Sequence, residues 1–243
     1  MRVEPVSVRT TYERWADTYP AVAHNPLMRL EQDVVESILA TVRPSRALDV
    51  GTGSGRYLPV LLRAGAASVV GVDFSMAMLR RCNSAPIVGA DPRVRPTADT
   101  WAGCGKVVCA DARRLPFRRR SFDVINASLM VGDIVDLHAW THEMARALAR
   151  GGHLVYSDFH PAWAEHGWKR TFRSRDGQAH DVGFAAHGID DHLAALASAG
   201  LRAVAIREPR FSTDSDSDPD VRMFRRRWRN PPVVVVFHAI HDL

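Results

Sequence analysis

Short apolar runs alternate with amphipathic stretches along most of the chain, a pattern that is typical of an α/β protein. The apolar runs predict strands at residues 47–50, 68–73, 107–112, 121–127, 150–157, 201–208 and 232–238. The amphipathic stretches predict helices, most clearly at residues 30–42, 138–148 and 190–200. Strands and helices in this order predict a doubly wound parallel sheet with helices on both faces.

The first 45 residues precede the first predicted strand and predict a separate helical cap. Aromatic residues recur at near-helical spacing over residues 11–19, and residues 24–28 predict a turn before the helix at 30–42. We expect the cap (1–45) to sit on one larger domain (46–243). A polar insertion at residues 83–105 predicts a loop at the sheet edge opposite the usual ligand site, and we assign it no function.

A glycine-rich turn follows the first strand and carries the clearest chemical signal in the chain. Asp49 precedes the run Gly51-Thr-Gly-Ser-Gly55, which leads into an amphipathic helix. Glycines allow a tight turn and close approach of a ligand, and the helix start directs unpaired N–H groups at it. The second strand ends in Asp73, about 20 residues on, where an acid hydrogen-bonds ribose hydroxyls in nucleotide-binding folds.

The spacing does not match the dinucleotide fingerprint G-x-G-x-x-G, because the third glycine falls one position early. The carboxylate of Asp49 would repel a pyrophosphate and attract an ammonium group. The segment from Asp49 to Gly55 resembles the [D/E]-x-G-x-G-x-G motif of the class I S-adenosylmethionine-dependent methyltransferases. The resemblance implies S-adenosylmethionine as the cofactor, with Asp73 on the ribose, Phe74 against the adenine and Asp111 near the adenine amino group.

The N-terminal segment extends the resemblance to a group of small-molecule methyltransferases. Tyr12, Ala16 and Tyr19 match a Tyr-x-x-x-Ala-x-x-Tyr pattern of the quinone C-methyltransferases and the malonyl-carrier-protein O-methyltransferases, where this segment closes over the cofactor. These aromatics could equally pack the cap on the core. The family fold is a Rossmann-like, doubly wound seven-stranded sheet with the last strand antiparallel. We expect cofactor contacts from Tyr12, Tyr19, Asp49, Gly51, Thr52, Gly53, Gly55, Asp73, Phe74, Met78, Asp111, Ala112 and Ser128.

Three segments are expected to meet at the carboxyl edge of the sheet: the cap, residues 158–187 and residues 209–231. They bring tryptophans to the ligand, namely Trp15, Trp163, Trp168 and Trp228. An apolar or aromatic small-molecule acceptor follows from this composition. Residues 209–231 predict a mobile, charge-balanced loop. An EF-hand is excluded there, because Pro219 and Arg225 occupy the positions of its required glycine and glutamate.

Methyl transfer from a sulfonium needs an aligned nucleophile and exclusion of water, and a general base helps when the acceptor must lose a proton. His160, just beyond the fifth strand and followed by proline, is our first candidate base. His24 and Asp133 are the next candidates for catalytic residues.

Composition and charge bear on the possible partners of the protein and on where it acts. The net charge of +5 comes from arginine rather than lysine and fits a bacterial chain of high arginine usage with a solvated basic surface. An RNA methyltransferase and a cofactor-binding protein that transfers no methyl group stay open as alternatives, although we expect no nucleic-acid partner. Three cysteines without a Cys-x-x-Cys pair predict no metal site. Without a leader or long apolar run, we expect a cytoplasmic monomer or homodimer with no membrane partner.

Overall fold

The computed structural model describes residues 7–82, 87–88, 106–165, 169–212 and 217–242. Its strands are β1 (Arg46–Val50), β2 (Ser68–Asp73), β3 (Ile87–Val88), β4 (Lys106–Cys109), β5 (Phe122–Ser128), β6 (Leu148–Phe159), β7 (Arg170–Arg173), β8 (Ala179–Val182), β9 (Leu201–Arg207) and β10 (Val234–His241). Its helices are α1 (Val8–Trp15), α2 (Pro26–Val42), α3 (Leu58–Arg63), α4 (Met76–Leu79), α5 (Leu137–Ala147), α6 (Ala162–Glu165), α7 (Ile189–Ser198) and α8 (Pro219–Trp228).

One mixed sheet organises the chain, with the strand order β3-β4-β2-β1-β5-β6-β10-β9. Strand β10 is antiparallel to both of its neighbours, whereas the other pairs in this sheet are parallel. The predicted Rossmann-like fold with its antiparallel last strand is therefore confirmed. The sheet also has an edge strand, β3, within the segment 83–105 that predicts only a loop; the rest of that segment lies outside the described residues.

The sheet is buried on both faces, as its almost continuously apolar strands require. On one face, Trp140 and Met144 of α5 pack with Leu196 of α7. On the other, Leu39 of α2 packs with Leu61 of α3. Among the described residues, no helix has both the length and the apolar character needed to cross a bilayer.

The cap is helical, but its second helix starts earlier than the pattern predicts. Helix α2 begins at Pro26 and not at residue 30, because the Asn25 side chain accepts the Met28 N–H at 2.8 Å and proline fits the first helical turn. Trp15 stacks on Phe172 with ring centroids 5.1 Å apart. The cap therefore contacts the predicted covering segment 158–187, which follows β6.

The two covering segments outside the cap, residues 158–187 and 209–231, contain regular structure. Residues 158–187 include the antiparallel hairpin β7–β8, whose strand β7 alternates buried Arg170 and Phe172 with exposed residues. The interpretation of residues 209–231 as a mobile loop is wrong for its second half, which forms α8. Asp218 caps this helix by accepting the Asp220 N–H, and Val221 is buried beneath it.

Candidate cofactor and acceptor sites

The glycine turn after β1 adopts a backbone that only glycine takes without strain. Gly51, Gly53 and Gly55 have φ values of 69°, 56° and 87°. A Cβ at Gly51 would lie 2.7 Å from Cγ of Met130, so a side chain there would also collide with the loop after β5. The turn therefore brings backbone N–H groups close to the carboxyl edge of the sheet.

Asp73, the last residue of β2, ties this turn to the sheet edge. One carboxylate oxygen accepts the Gly53 N–H at 2.9 Å, and the other accepts the Ser75 N–H at 2.8 Å. Burial raises the pKa of Asp73 to about 6, although these two backbone hydrogen bonds act in the opposite direction. Each oxygen retains a lone pair for a further donor such as a ribose hydroxyl.

A cavity of about 390 Å³ opens at this edge of the sheet. Predicted cofactor residues that line it are Tyr12, Tyr19, Gly51, Gly53, Asp73, Phe74, Met78, Asp111, Ala112 and Ser128. The cap therefore contributes directly to the cavity wall through both tyrosines of its Tyr-x-x-x-Ala-x-x-Tyr pattern.

Three predicted cofactor residues lie behind the cavity wall instead. The buried Asp49 carboxylate accepts hydrogen bonds from Thr52 Oγ1 at 2.7 Å and Asn126 Nδ2 at 2.8 Å. Burial raises the pKa of Asp49 to about 6 against these two bonds. At Gly55, an added Cβ would lie 2.4 Å from Sγ of Cys82. Asp49 and Thr52 thus brace the turn from below, and Gly55 provides close packing against the end of α4.

The two residues expected near the adenine lie on the outer side of the cavity. Phe74 meets the ring of Tyr12 edge-on at 6.1 Å, and the guanidinium of Arg9 lies 5.8 Å from its centroid. Asp111 is paired with Arg113 at 2.6 Å, which holds the pKa of that carboxyl below its usual value. Asp111 is thus an ionised acceptor at neutral pH, as a contact to an adenine amino group requires.

The sequence patterns gave no signal for several other residues of this cavity, among them Val8, Arg9, Ile134 and Val135. Leu129 and Met130 also line it, and their place in the loop just after the fourth predicted strand predicts contact with the cofactor. Leu129 is the more informative of the two, because it has a φ of 55°, which is uncommon for a branched side chain. Its N–H is held by the Oγ of Ser157 at 2.9 Å. Nothing in the local sequence marks this strained backbone, since the strain is imposed by the neighbouring strand β6.

A second cavity, of about 340 Å³, adjoins the first. It shares Tyr12, Tyr19 and Leu129 with the first cavity, which is the candidate cofactor cavity. Its other lining residues are Trp15, His24, Asn25, Pro26, Leu27, Met28, Phe159, Trp163, Lys169, Arg170, Thr171, Phe211, Asp220, Val221, Phe224 and Val233. All three predicted covering segments therefore contribute to it. Of the predicted tryptophans, Trp15 and Trp163 line it, Trp228 does not, and Trp168 lies outside the described residues.

A hydrogen-bonded group of three side chains stands between the two cavities. The Tyr12 hydroxyl donates to Asp133 Oδ2 at 2.7 Å, and Nη2 of Arg170 donates to Asp133 Oδ1. Burial and the nearby Asp133 carboxylate keep the pKa of Tyr12 well above its usual value. Burial opposes the charge of Arg170, but Tyr12 and Asp133 outweigh it and raise the pKa of the guanidinium. The predicted catalytic residue Asp133 thus lines the cofactor cavity with its carboxylate already engaged.

The two predicted histidines occupy different places. His160 is buried and lines neither cavity. Its Nε2 bonds Glu208 at 2.8 Å, and its Nδ1 accepts the Ala162 N–H at 3.2 Å, so both ring nitrogens are occupied in holding the turn after β6. His160 therefore lies away from both cavities, contrary to the prediction that it contacts the acceptor. His24 lines the second cavity, and partial desolvation, reinforced by nearby arginines, lowers its pKa.

Comparison with known proteins shows similarity to methyltransferases. Residues 48–156 match the family model of a methyltransferase domain. The chain is 32% identical over 191 residues to a malonyl-[acyl-carrier protein] O-methyltransferase from Halorhodospira halophila, covering 72% of this chain and 58% of the relative. It is 31% identical over 167 residues to a demethylmenaquinone methyltransferase from Streptomyces avermitilis, covering 66% of this chain and 64% of the relative.

The fold has a solved counterpart in an S-adenosylmethionine-dependent methyltransferase from Mesorhizobium loti. That structure superposes with a TM-score of 0.66 at 19% identity and covers 87% of this chain and 97% of its own. The glycine turn, the acid that ends β2 and the strand order define a class I methyltransferase fold. Residues 48–156 and the fold of the chain are similar to those of S-adenosylmethionine-dependent methyltransferases, and the chain spans less than two thirds of the length of the curated relatives described above.

Proposed function

We propose that the chain transfers the methyl group of S-adenosylmethionine to a small acceptor with an apolar or aromatic body. The observation that carries the proposal is the pair of adjoining cavities, which share Tyr12, Tyr19 and Leu129. The cofactor occupies the cavity at the glycine turn, with Asp73 on its ribose. The acceptor occupies the neighbouring aromatic cavity, so that the methyl group passes between them at the shared wall.

Positioning supplies most of the rate in this proposal. A sulfonium methyl is already electrophilic, and the protein's task is to hold the nucleophile in line and keep water out. Trp15, which stacks on Phe172, lines the acceptor cavity on the side of the cap. Trp163 of α6 and Phe224 of α8, with ring centroids 5.0 Å apart, line it as well. An aromatic acceptor gains both burial and ring contacts in this enclosure.

His24 is the proposed general base, in place of His160. The lowered pKa leaves His24 neutral at pH 7, as proton removal from a hydroxyl or an acidic carbon requires. We expect His24→Gln to reduce kcat/KM about 100-fold, the range typical of a lost general base. The exposed His142 on α5 provides the matched control, and His142→Gln should leave kcat/KM unchanged.

The acceptor's identity is open between two chemical classes. The sequence pattern favours a free aromatic metabolite, and the proposal includes a setting in bacterial specialised metabolism. The name of the Halorhodospira relative instead favours a malonyl group on a carrier protein. C- and O-methylation both fit an acceptor that is deprotonated in the cavity.

The deciding experiment is a methyl-transfer assay with methyl-labelled S-adenosylmethionine. One arm presents free aromatic hydroxy and carboxylic acids, and the other presents a malonyl thioester of a carrier protein. We expect labelled product with the first arm and none from Asp73→Ala. Tight S-adenosylhomocysteine binding without transfer in either arm would instead favour a cofactor-binding protein that transfers no methyl group.

A further inference from the structure

Arg170 is a buried cation at the wall of the acceptor cavity. It begins strand β7, lines that cavity and is only 5% exposed. The rings of Tyr12 and Phe159 lie about it, with centroids 6.0 Å and 5.8 Å from its guanidinium carbon. A guanidinium removed from water to this extent needs acceptors for its five N–H groups.

The described residues supply only some of those acceptors. Nη2 donates to the Asp133 carboxylate and to the Gly183 carbonyl at 3.3 Å. Within the described part of the chain, Nε is buried without a partner and Nη1 makes no hydrogen bond. Nη1, unlike Nε, is not among the fully buried donors of the described residues without a partner, so it is the N–H group that a ligand in the cavity can reach. A hydrogen bond from a charged donor to such a ligand contributes more than one between neutral groups.

The charges near Arg170 limit what that ligand can be. Asp133 pairs with the guanidinium from the cofactor side, and the buried Asp158, whose pKa burial raises to about 7, is a second carboxyl near it. A ligand with two negative charges would be repelled there, so a monoanion fits better than a dianion. At the mouth of the cavity, Lys169 is paired with Asp181 at 2.9 Å and is largely exposed, and Asp220 is exposed as well. The rest of the cavity wall is mainly aromatic and aliphatic, which matches a ligand that has an apolar body and one charged end.

We propose that the acceptor carries a carboxylate, which Arg170 receives through Nη1 while Asp133 and Tyr12 hold the guanidinium in place. This inference rests on the proposed function and names the substrate class for the acceptor cavity. The bound sulfonium favours the same ligand, because a carboxylate offsets the positive charge that the cofactor brings to the shared wall. Arg170 is thus a specificity-determining residue.

A pair of matched probes tests the proposal without knowledge of the acceptor. Ligand-observed NMR titration of the S-adenosylhomocysteine-bound protein compares 3-phenylpropanoate with its neutral amide, which has nearly the same shape. We expect the carboxylate to bind at least tenfold more tightly, and we expect Arg170→Gln to reduce this preference to less than twofold. Arg173→Gln changes an exposed arginine three residues along the same strand and should retain the full preference.

The outcomes separate this inference from the proposed function. Equal affinity for the two probes, no binding of the carboxylate, or an undiminished preference in Arg170→Gln would each overturn the carboxylate site. Should that variant fail to fold, Arg170→Lys keeps a charge but lacks the planar fork, and a preference that is fully retained there would count against the proposal. If S-adenosylhomocysteine itself does not bind, the proposed function fails, and titration of the ligand-free protein still tests Arg170.

Discussion

The two cavities lie side by side but are built in different ways. The cofactor cavity is made mostly by residues at the carboxyl ends of β1, β2, β4 and β5, with only the cap added from outside. The acceptor cavity takes most of its wall from α2, the hairpin β7–β8, α8 and the residues around them. The first is therefore positioned by the core of the sheet, and the second by segments that meet only in the folded chain.

This contrast indicates which cavity determines specificity. Strand ends in a buried parallel sheet are held by the whole core, so they suit a cofactor that never changes. Helices and hairpins laid over the edge can change in sequence without disturbing the sheet. Changes in the two regions should accordingly alter different measurements.

The largest effect is expected from Asp73→Ala. The variant removes the proposed acceptor for the ribose hydroxyls and also frees the Gly53 and Ser75 N–H groups that Asp73 now holds. Two ribose hydroxyls would make two charge-assisted hydrogen bonds of about 1.5–3 kcal/mol each, so the affinity for S-adenosylhomocysteine should fall about 100-fold or more. Calorimetry measures this, and Asp111→Ala, at an exposed carboxylate, should lose less than about tenfold. Equal losses in the two variants would contradict the ribose assignment.

A smaller effect is expected from Gly55→Ala, and it concerns stability. The new Cβ would lie 2.4 Å from Sγ of Cys82, and overpacking of this kind costs about 1–3 kcal/mol. Gly177→Ala is the control, because Gly177 has a similar φ of 82° but no atom within 4 Å of the added Cβ. Denaturant unfolding should show the larger loss at Gly55. Comparable losses would mean that backbone strain alone matters there and that the packing role is wrong.

The pH dependence of cofactor binding should be about tenfold. Asp73 has a pKa of about 6 in the free protein, raised by burial, and its ionised form is the better acceptor for ribose hydroxyls. Binding then releases a proton below that pKa, so the affinity for S-adenosylhomocysteine should rise from pH 5 to about pH 6 and level off above it. Asp73→Asn should abolish the rise. Asp111→Asn should retain it, because the pKa of Asp111 is lowered out of this range.

The smallest effect is expected from Phe224→Ala in α8. Phe224 packs on Trp163 and Phe211, with ring centroids 5.0 Å and 5.2 Å away, and lines only the acceptor cavity. Binding of 3-phenylpropanoate should weaken about fivefold through lost aromatic contact, roughly 1 kcal/mol. Affinity for S-adenosylhomocysteine should stay within twofold. A change in cofactor affinity as large as the change in probe affinity would show that the two cavities are not independent.

The strand pattern predicts the sheet well because a buried parallel strand leaves a continuous apolar run in the sequence. Helix α8 escapes the same kind of prediction, since its four arginines and neighbouring aspartates conceal Val221 and Phe224, the inward face. Asp218 followed by Pro219 is the local signal that could have revealed it, because the pair matches a helix cap and a first helical residue.

The sequence by itself predicted the candidate cofactor side of this protein: the glycine turn, Asp73 at the end of a strand, and the alternation of strands and helices that brings both to one edge. These features are local or periodic, so they can be read from spacing along the chain. Only the tertiary structure decided that His160 faces Glu208, that Leu129 separates two cavities, and that Arg170 meets Asp133 across 37 residues. Such contacts depend on how segments that are distant in the sequence pack against each other, and the spacing of residues along the chain does not determine this packing.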